Sequence, residues 1–515
     1  MTRNINTLLW LLFSVLAIRL GLTAILPLAD TTEPRYAEIA RIMAETGDWI
    51  TPWFDDGVPF WGKPPLSFWA QAVSFNVFGV SEFSGRLPSW LANAVIVYLV
   101  FTLRRFLHPD RTGDAAKAAG LWAALIYATT ALGFLSAGTV MTDSFLALGS
   151  TLVLTSLIVR LQGGPAPWGW LFFVGLAIGL LAKGPLILVL TGLPVFLWVA
   201  VTRRWRTLWQ CLPWIRGSML MLAIALPWYV LAELKTPGFL DYFIVGEHLK
   251  RFLVSSWQGD LYGNAHEFPR GTIWLYLVVA SLPWGLVALA AFLLNRWRGH
   301  DTVHEWQARE KGIGGLVLAC TLSPALFFTL SGNILWTYVL PGLPFLAVLA
   351  SSLWPQSPAR PMQHSALAAI LLIPMLGTVA VSWLAFHPEQ LKTERELIAR
   401  VDRLPDMSAN ELVYVGKAPF SARFYSLGKV RAVTPETLKR QLEQGALSRP
   451  MLLAVEKGNT AMLHRLETLA DPIDENRRYR VFLLDTRLRN TAHNGDRESK
   501  SSRIDYTATN EHPLS

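Results

Sequence analysis

The chain has 515 residues, of which 52% are hydrophobic and only 16% charged, with 22 Trp and 26 Phe. A soluble protein of this size carries about a quarter charged residues, so the composition argues against a soluble globular enzyme. The formal net charge of +9 does not signal nucleic-acid binding, because the positive residues fall in short clusters between apolar runs, as topology signals do. Cys211 and Cys320 lie within or beside apolar stretches and form neither a metal spacing nor a disulfide framework.

The N-terminal apolar stretch follows a weakly basic start, has no convincing cleavage site and reads as a first membrane helix rather than a removed signal peptide. Apolar runs of membrane-spanning length place spans at roughly 8–27, 87–103, 118–136, 143–160, 167–183, 185–202, 214–233, 272–295, 313–331, 335–354 and 365–386. The predicted fold class is a polytopic α-helical membrane protein of about 11–13 transmembrane helices, with a small C-terminal α/β domain outside the membrane. Three basic clusters set the orientation: Arg104, Arg105, Arg111 and Lys117; Arg203, Arg204 and Arg206; and Arg296, Arg298, Arg309 and Lys311. With these spans all three fall on the side of the N-terminus, which the positive-inside rule makes cytoplasmic. The opposite side receives the loop 28–86, the turn Thr139–Asp143, the loop 234–271, the turn Ser331–Asn333 and everything after about 387.

The first external loop opens with a predicted helix of about twelve residues, with Thr32 as candidate cap, Pro34 near its start and Gly47 as terminator. Tyr36, Ile39 and Met43 share one face, which predicts a helix resting at the membrane interface. Further on, Pro64 and Pro65 fix the backbone just after Lys63. Lys183 ends a nearly uniform apolar run before Gly184-Pro185, and an ionisable group at such a place is a functional candidate, with snorkelling as the alternative. Asp143 reads equally as a helix cap or as a site carboxylate. Tyr338 reads as an aromatic-belt residue or a phosphate contact.

Beyond residue 387 the pattern changes. Short strand-like runs at Leu412–Gly416, Val430–Thr434, Met451–Val455 and Tyr479–Leu484 alternate with helical stretches at Ser421–Leu427, Pro435–Gln444 and Thr460–Leu469. Thr434 is a candidate cap for the second of these helices. The predicted division is a membrane domain over 1–386, an α/β domain over 387–489, and a disordered tail over 490–515.

The segments "RYAEIARIM…GDWITP…GKPPLSFW", "MTDSFLAL" around Asp143, "LAKGP" around Lys183, "EHLKRF" at Glu247–Phe252 and "TYVLPGLPFLA" around Tyr338 occur in order. Together they resemble the bacterial GT-C glycosyltransferases, in particular the lipid A aminoarabinose transferases and the wider protein O-mannosyltransferase superfamily. The resemblance covers roughly residues 8–355. It implies a glycosyltransferase in the bacterial inner membrane whose active site faces the periplasm. The implied partners are a polyprenyl-phosphate-linked sugar donor, a lipid or protein acceptor such as lipid A, and membrane lipids. Departure of the donor phosphate builds negative charge that fixed cations must meet, and the resemblance with the topology offers Lys63, Lys183 and Arg270, with Tyr338 as a further phosphate contact. Asp30, Glu33 and Asp143 are the candidate catalytic carboxylates, to orient the acceptor and, for a hydroxyl acceptor, to take its proton. Arg35, Tyr36, Glu38, Glu247 and His248 are expected to support the loops.

The sequence departs from the family pattern in two places. Thr32 stands where an aspartate is usual, leaving Asp30 as the nearby aspartate, and Gly62 stands where a glutamate usually precedes the lysine. A divalent metal on His266 is therefore a candidate without its usual partner, and no metal is required by the residues present. A protein O-glycosyltransferase of the same superfamily and a transporter of lipid-linked saccharides are the alternative readings. A transporter should show repeats and polar groups at mid-membrane, whereas the ionisable groups here gather at one face.

Overall fold

Each of the eleven predicted spans falls on helical structure in the computed structural model, which describes residues 2–109, 112–254, 257–263, 268–297, 312–353, 360–404, 408–443 and 450–484. The chain divides into two compact units, Met1–Thr393 and Glu394–Ser515. The predicted tail and His266 lie outside the described residues.

In the first unit, α1 (Thr2–Leu22) leads into α2 (Thr32–Thr46), a short hairpin of β1 (Trp53–Asp55) and β2 (Val58–Pro59), and α3 (Leu66–Phe78). There follow α4 (Glu82–Phe106), α5 (Asp114–Ala128), α6 (Ala131–Ser136), α7 (Asp143–Leu161), α8 (Pro167–Lys183), α9 (Leu186–Thr202), α10 (Trp205–Cys211) and α11 (Trp214–Lys235). The remaining apolar helices are Thr272–Ala280, Trp284–Trp297, Ile313–Phe328, Leu343–Ser352 and Arg360–Phe386. Among the described residues, five helices are each long and apolar enough to cross a membrane, and the bent pair Thr272–Ala280 and Trp284–Leu294 makes up to six. Shorter apolar helices complete the bundle, which is that of a multi-pass membrane protein.

Several expectations need correction. The predicted span 272–295 is two helices meeting at 94°, because Pro283 has no N–H to continue the ladder. The predicted span 118–136 breaks at Thr129–Thr130, where the Thr130 side chain caps α6 by accepting from Gly133 N at 3.2 Å. The segment 28–86, read from sequence as a loop after its first helix, contains a second one, α3, too short to register as a span. In α2, Thr32 lies within the helix and Thr31 at the cap position makes no side-chain cap bond. Gly47 does terminate α2, at φ 68° with its N–H donated to Met43 O. The apolar face of α2 packs on protein, since Tyr36, Ile39 and Met43 are buried and α2 lies against α3.

Among the described residues, α7 packs most extensively on α8, which runs antiparallel to it. A Cβ on Gly149 would come within 2.8 Å of Gly175 O and 2.9 Å of Gly179 N, so small residues set this spacing. The consequence for function is positional: the first residue of α7, Asp143, meets the last residue of α8, Lys183.

The second unit holds a five-stranded sheet in the order β4 (Arg431–Val433), β3 (Leu412–Val415), β5 (Met451–Glu456), β7 (Tyr479–Leu484), β6 (Pro472–Glu475). β3 pairs in parallel with β4 and β5, and β7 pairs antiparallel with β5 and β6. Alternate residues feed two cores, Leu412, Tyr414, Leu452 and Val481 on one face and Val413, Val415, Leu453 and Phe482 on the other. The four predicted strands and three predicted helices are present, with Thr434 accepting from Thr437 N at 3.2 Å. The strand β6 and the helix Arg395–Val401 carry no clear sequence signal. Glu394, fully buried, is held by Arg478 at 2.8 Å and Asn476 at 2.7 Å.

Candidate active site

One end of the membrane bundle gathers the ionisable groups. Lys183 Nζ lies 2.6 Å from Asp143 Oδ1 and 4.8 Å from the centre of the Tyr338 ring. The acid sits at a helix start and the cation at a helix end, where the two helix dipoles favour them. Lys63 reaches across from the segment after β2 to Glu247, 3.0 Å away, in the π-helical turn Asp241–Lys250. Arg251 binds both oxygens of the same carboxylate at 3.0 Å and reaches Asp260 at 3.3 Å. Burial opposes ionisation of Glu247, but Lys63 and Arg251 outweigh it and hold its carboxyl down at about 2. The carboxylate is therefore charged throughout the neutral range.

These groups surround a cavity of about 200 Å³. Its polar lining includes Lys63, Lys183, Glu247, His248, Arg251 and Tyr338, and its apolar lining includes Leu186, Val189, Phe252, Phe327 and Phe328. Phe252 stacks on Phe327 at 4.7 Å, and Phe328 lies 4.4 Å from Tyr338. Arg251 Nε is buried without a hydrogen-bond partner among the described residues, leaving a guanidinium donor available to a bound anion.

Two loop segments are sewn together to make this wall. The Tyr262 hydroxyl donates to Pro59 O at 2.7 Å and accepts from Trp61 N at 3.0 Å, while Arg35 donates to Tyr262 O at 2.5 Å. Tyr36 and Phe60 pack edge to face beside it. These bonds bring Lys63 to Glu247 across 184 positions of sequence. Trp61 adds a bond from its indole N–H to Thr236 at 3.1 Å.

The other expected residues lie elsewhere. Glu33 is held by Arg86 at 2.7 and 3.0 Å and accepts from Val140 N at 2.9 Å. Arg86 also donates to the carbonyls of Thr23, Leu26 and Pro27, so Glu33 ties α2, α4 and the turn before α7 together. Asp30 is half-buried, and its N–H donates to Lys392 O at 2.7 Å. Glu38 is buried in an ion pair with Arg41 at 2.7 Å. Arg270 is exposed and does not line the cavity; Arg251 does. Arg251 and Tyr262 escaped the sequence reading, although Arg251 stands inside the "EHLKRF" motif. No group of three or more potential metal ligands occurs among the described residues. Gly62 offers no ligand, and a Cβ there would come within 2.9 Å of the Phe60 ring; His266 lies outside the described residues.

A cavity lined by ion-paired lysine and arginine side chains and by phenylalanines, at the end of a bundle of apolar helices, defines the candidate site of a multi-pass membrane protein. Residues 4–243 match the family model described as dolichyl-phosphate-mannose-protein mannosyltransferase. The chain is 31% identical over 325 residues to the undecaprenyl phosphate-alpha-4-amino-4-deoxy-L-arabinose arabinosyl transferase of Edwardsiella ictaluri, covering 62% of this chain and 54% of that protein. It is 32% identical over 357 residues to the corresponding protein of Pseudomonas aeruginosa, covering 65% and 58%. The chain thus spans little more than half the length of these relatives. The crystal structure of ArnT from Cupriavidus metallidurans bound to undecaprenyl phosphate superposes with a TM-score of 0.72 at 18% identity, covering 93% of this chain and 98% of that one. Over these stretches the chain is similar to the aminoarabinose transferases and to the mannosyltransferase family model, and it shares the fold of the ArnT crystal structure.

Proposed function

We propose that this chain is a glycosyltransferase of the bacterial inner membrane that moves a sugar from an undecaprenyl-phosphate-type donor to an acceptor on the periplasmic side, with inversion at the anomeric carbon. The observation that carries this reading is the convergence of Lys63, Lys183 and Arg251 on one cavity that phenylalanine and aliphatic side chains also line. The cations suit a phosphate and the phenylalanines suit the start of a polyprenyl chain. The names of the relatives support the donor class, and lipid A is the acceptor we favour over a protein.

In the transfer, the bond between the anomeric carbon and the phosphate oxygen breaks, and its electron pair leaves with the polyprenyl phosphate. The acceptor oxygen forms the new bond from the opposite face. Lys63, Lys183 and Arg251 meet the charge that grows on the leaving phosphate, and Tyr338, under Lys183, helps to shape that corner. A hydroxyl acceptor would pass its proton to a carboxylate, whereas an ionised phosphate acceptor needs no base. We keep Asp30 as the acceptor-side candidate for its place three residues before Glu33, at the start of the acidic motif; Glu33 itself is bonded to Arg86 and Val140, and Asp143 to Lys183.

Purified protein in detergent, given a radiolabelled sugar on undecaprenyl phosphate and lipid A, is expected to yield labelled lipid A. Movement of intact donor across vesicles without transfer to any acceptor would instead support the transporter reading. The carboxylates separate by two readouts. Asp30→Asn is expected to lower kcat by about 100-fold or more with unchanged melting. Glu33→Gln, which leaves the Arg86 guanidinium short of its counter-ion, is expected to cost about 3 kcal/mol of stability. Full activity in Asp30→Asn would remove Asp30 from the mechanism.

A further inference from the structure

His248 lines the cavity but has no part in the transfer as drawn above. Its ring is clamped between two backbone carbonyls: Nδ1 lies 2.7 Å from Phe243 O and Nε2 2.9 Å from Lys183 O. A carbonyl oxygen only accepts, and a neutral imidazole has one N–H and one lone pair. The neutral ring can therefore donate to one carbonyl and must turn a lone pair towards the other. The imidazolium donates to both. One of the two carbonyls belongs to the last residue of α8, where a helix end favours a cation. The ring has little freedom to turn away. Phe243 lies against it at 4.6 Å, and even a Cβ on Gly184 would stand only 3.2 Å from its Cε1.

Among the described residues, the cavity's three cations each have a carboxylate partner. Lys63 and Arg251 face Glu247 and Asp260, and Lys183 faces Asp143. Tyr338 is the remaining titratable group on the cavity wall. A phosphate entering here is met by cations that already face carboxylates, so it adds one negative charge to the paired set. Burial holds the empty-site imidazole below its ordinary value; the two carbonyls pull it upwards, Lys63 adds to the lowering and Glu247 opposes it.

We propose that His248 takes up a proton when a phosphate group enters the cavity, and that the resulting imidazolium, bridging two carbonyls, supplies the charge the paired residues lack. His248 is then a binding residue for the phosphate through its charge, and it remains charged as the leaving phosphate gains its second negative charge. The inference rests on the phosphate site proposed above. Its sign follows from linkage: binding raises the ring's pKa, so affinity is full below the empty-site pKa and is lost as pH rises through the raised pKa of the complex.

The probe is farnesyl methyl phosphate, a phosphodiester whose single charge does not titrate in the neutral range, bound to the full chain in neutral detergent. Calorimetry in two buffers of different protonation enthalpy gives the protons taken up per ligand bound. The wild type is expected to take up a measurable fraction of one proton, and its affinity to fall with rising pH by at most about tenfold per pH unit. H248Q, checked for folding by its melting curve, is expected to bind without proton uptake and with no pH dependence. The wild-type buffer comparison stands whether or not the variant folds. Binding without proton uptake in the wild type, or equal uptake in H248Q, overturns the inference and leaves the phosphate site intact. Absence of binding overturns both.

Discussion

Lys183→Leu is expected to abolish sugar transfer and to destabilise the membrane unit by about 3–5 kcal/mol, the usual cost of stranding one half of a buried ion pair. The residue is buried at the end of α8 and bonded to Asp143 at 2.6 Å, so its removal leaves a carboxylate in a poorly hydrated place. Loss of activity in that variant alone would not separate folding from chemistry. The double variant Asp143→Leu/Lys183→Leu does so, because it removes both charges and lets two apolar side chains fill the same gap. It is expected to recover most of the lost stability, as paired replacements of buried charges commonly do, while transferring no sugar. Melting in detergent and the radiolabelled transfer assay read the two properties separately. Restored transfer in the double variant would mean that Lys183 does not contact the phosphate. Wild-type stability in the single variant would mean that the pair is not buried as described.

The second large effect concerns which arginine serves the phosphate. Arg251→Ala and Lys63→Ala are each expected to lower kcat/KM by about 100- to 1,000-fold, the range seen when one donor to a developing anion is lost. Both side chains line the cavity, where a low dielectric strengthens each contact. Arg270 is exposed and outside the cavity. Solvent and salt screen a charge so placed, so Arg270→Ala is expected to change kcat/KM by less than about tenfold. An inactive Arg270→Ala beside an active Arg251→Ala would move the phosphate site out of this cavity.

The helices of the membrane unit were legible because burying a long apolar run in a bilayer is a local property of the chain. So were the strands of the second unit, whose alternating faces both find a core. The breaks were harder to see. Pro283 interrupts a run that hydropathy reads as continuous, and α3 is apolar yet too short to count. Lys63 and Lys183 stood out because a cation beside prolines or at the end of an apolar run is locally expensive. Arg251 did not, since a basic residue in a polar loop is common and only its neighbours make it special. Glu33 shows how little of a carboxylate's surroundings a sequence reveals. Its sequence position fits a catalytic acid, but Arg86, 53 positions away, takes up its carboxylate.

By itself the sequence determined that this is a multi-pass membrane protein with a C-terminal α/β unit, and that ionisable residues collect in the segments on one side. Those features follow from hydrophobic transfer and backbone hydrogen bonding, which act along the chain. Only the tertiary structure decided which charges meet. Glycine-lined packing of α7 on α8 put Asp143 beside Lys183, and the Tyr262 clamp brought Lys63 to Glu247 and Arg251. Coulomb forces between side chains depend on distance in space rather than in sequence, so the partners of each charge became visible only when the helices were packed.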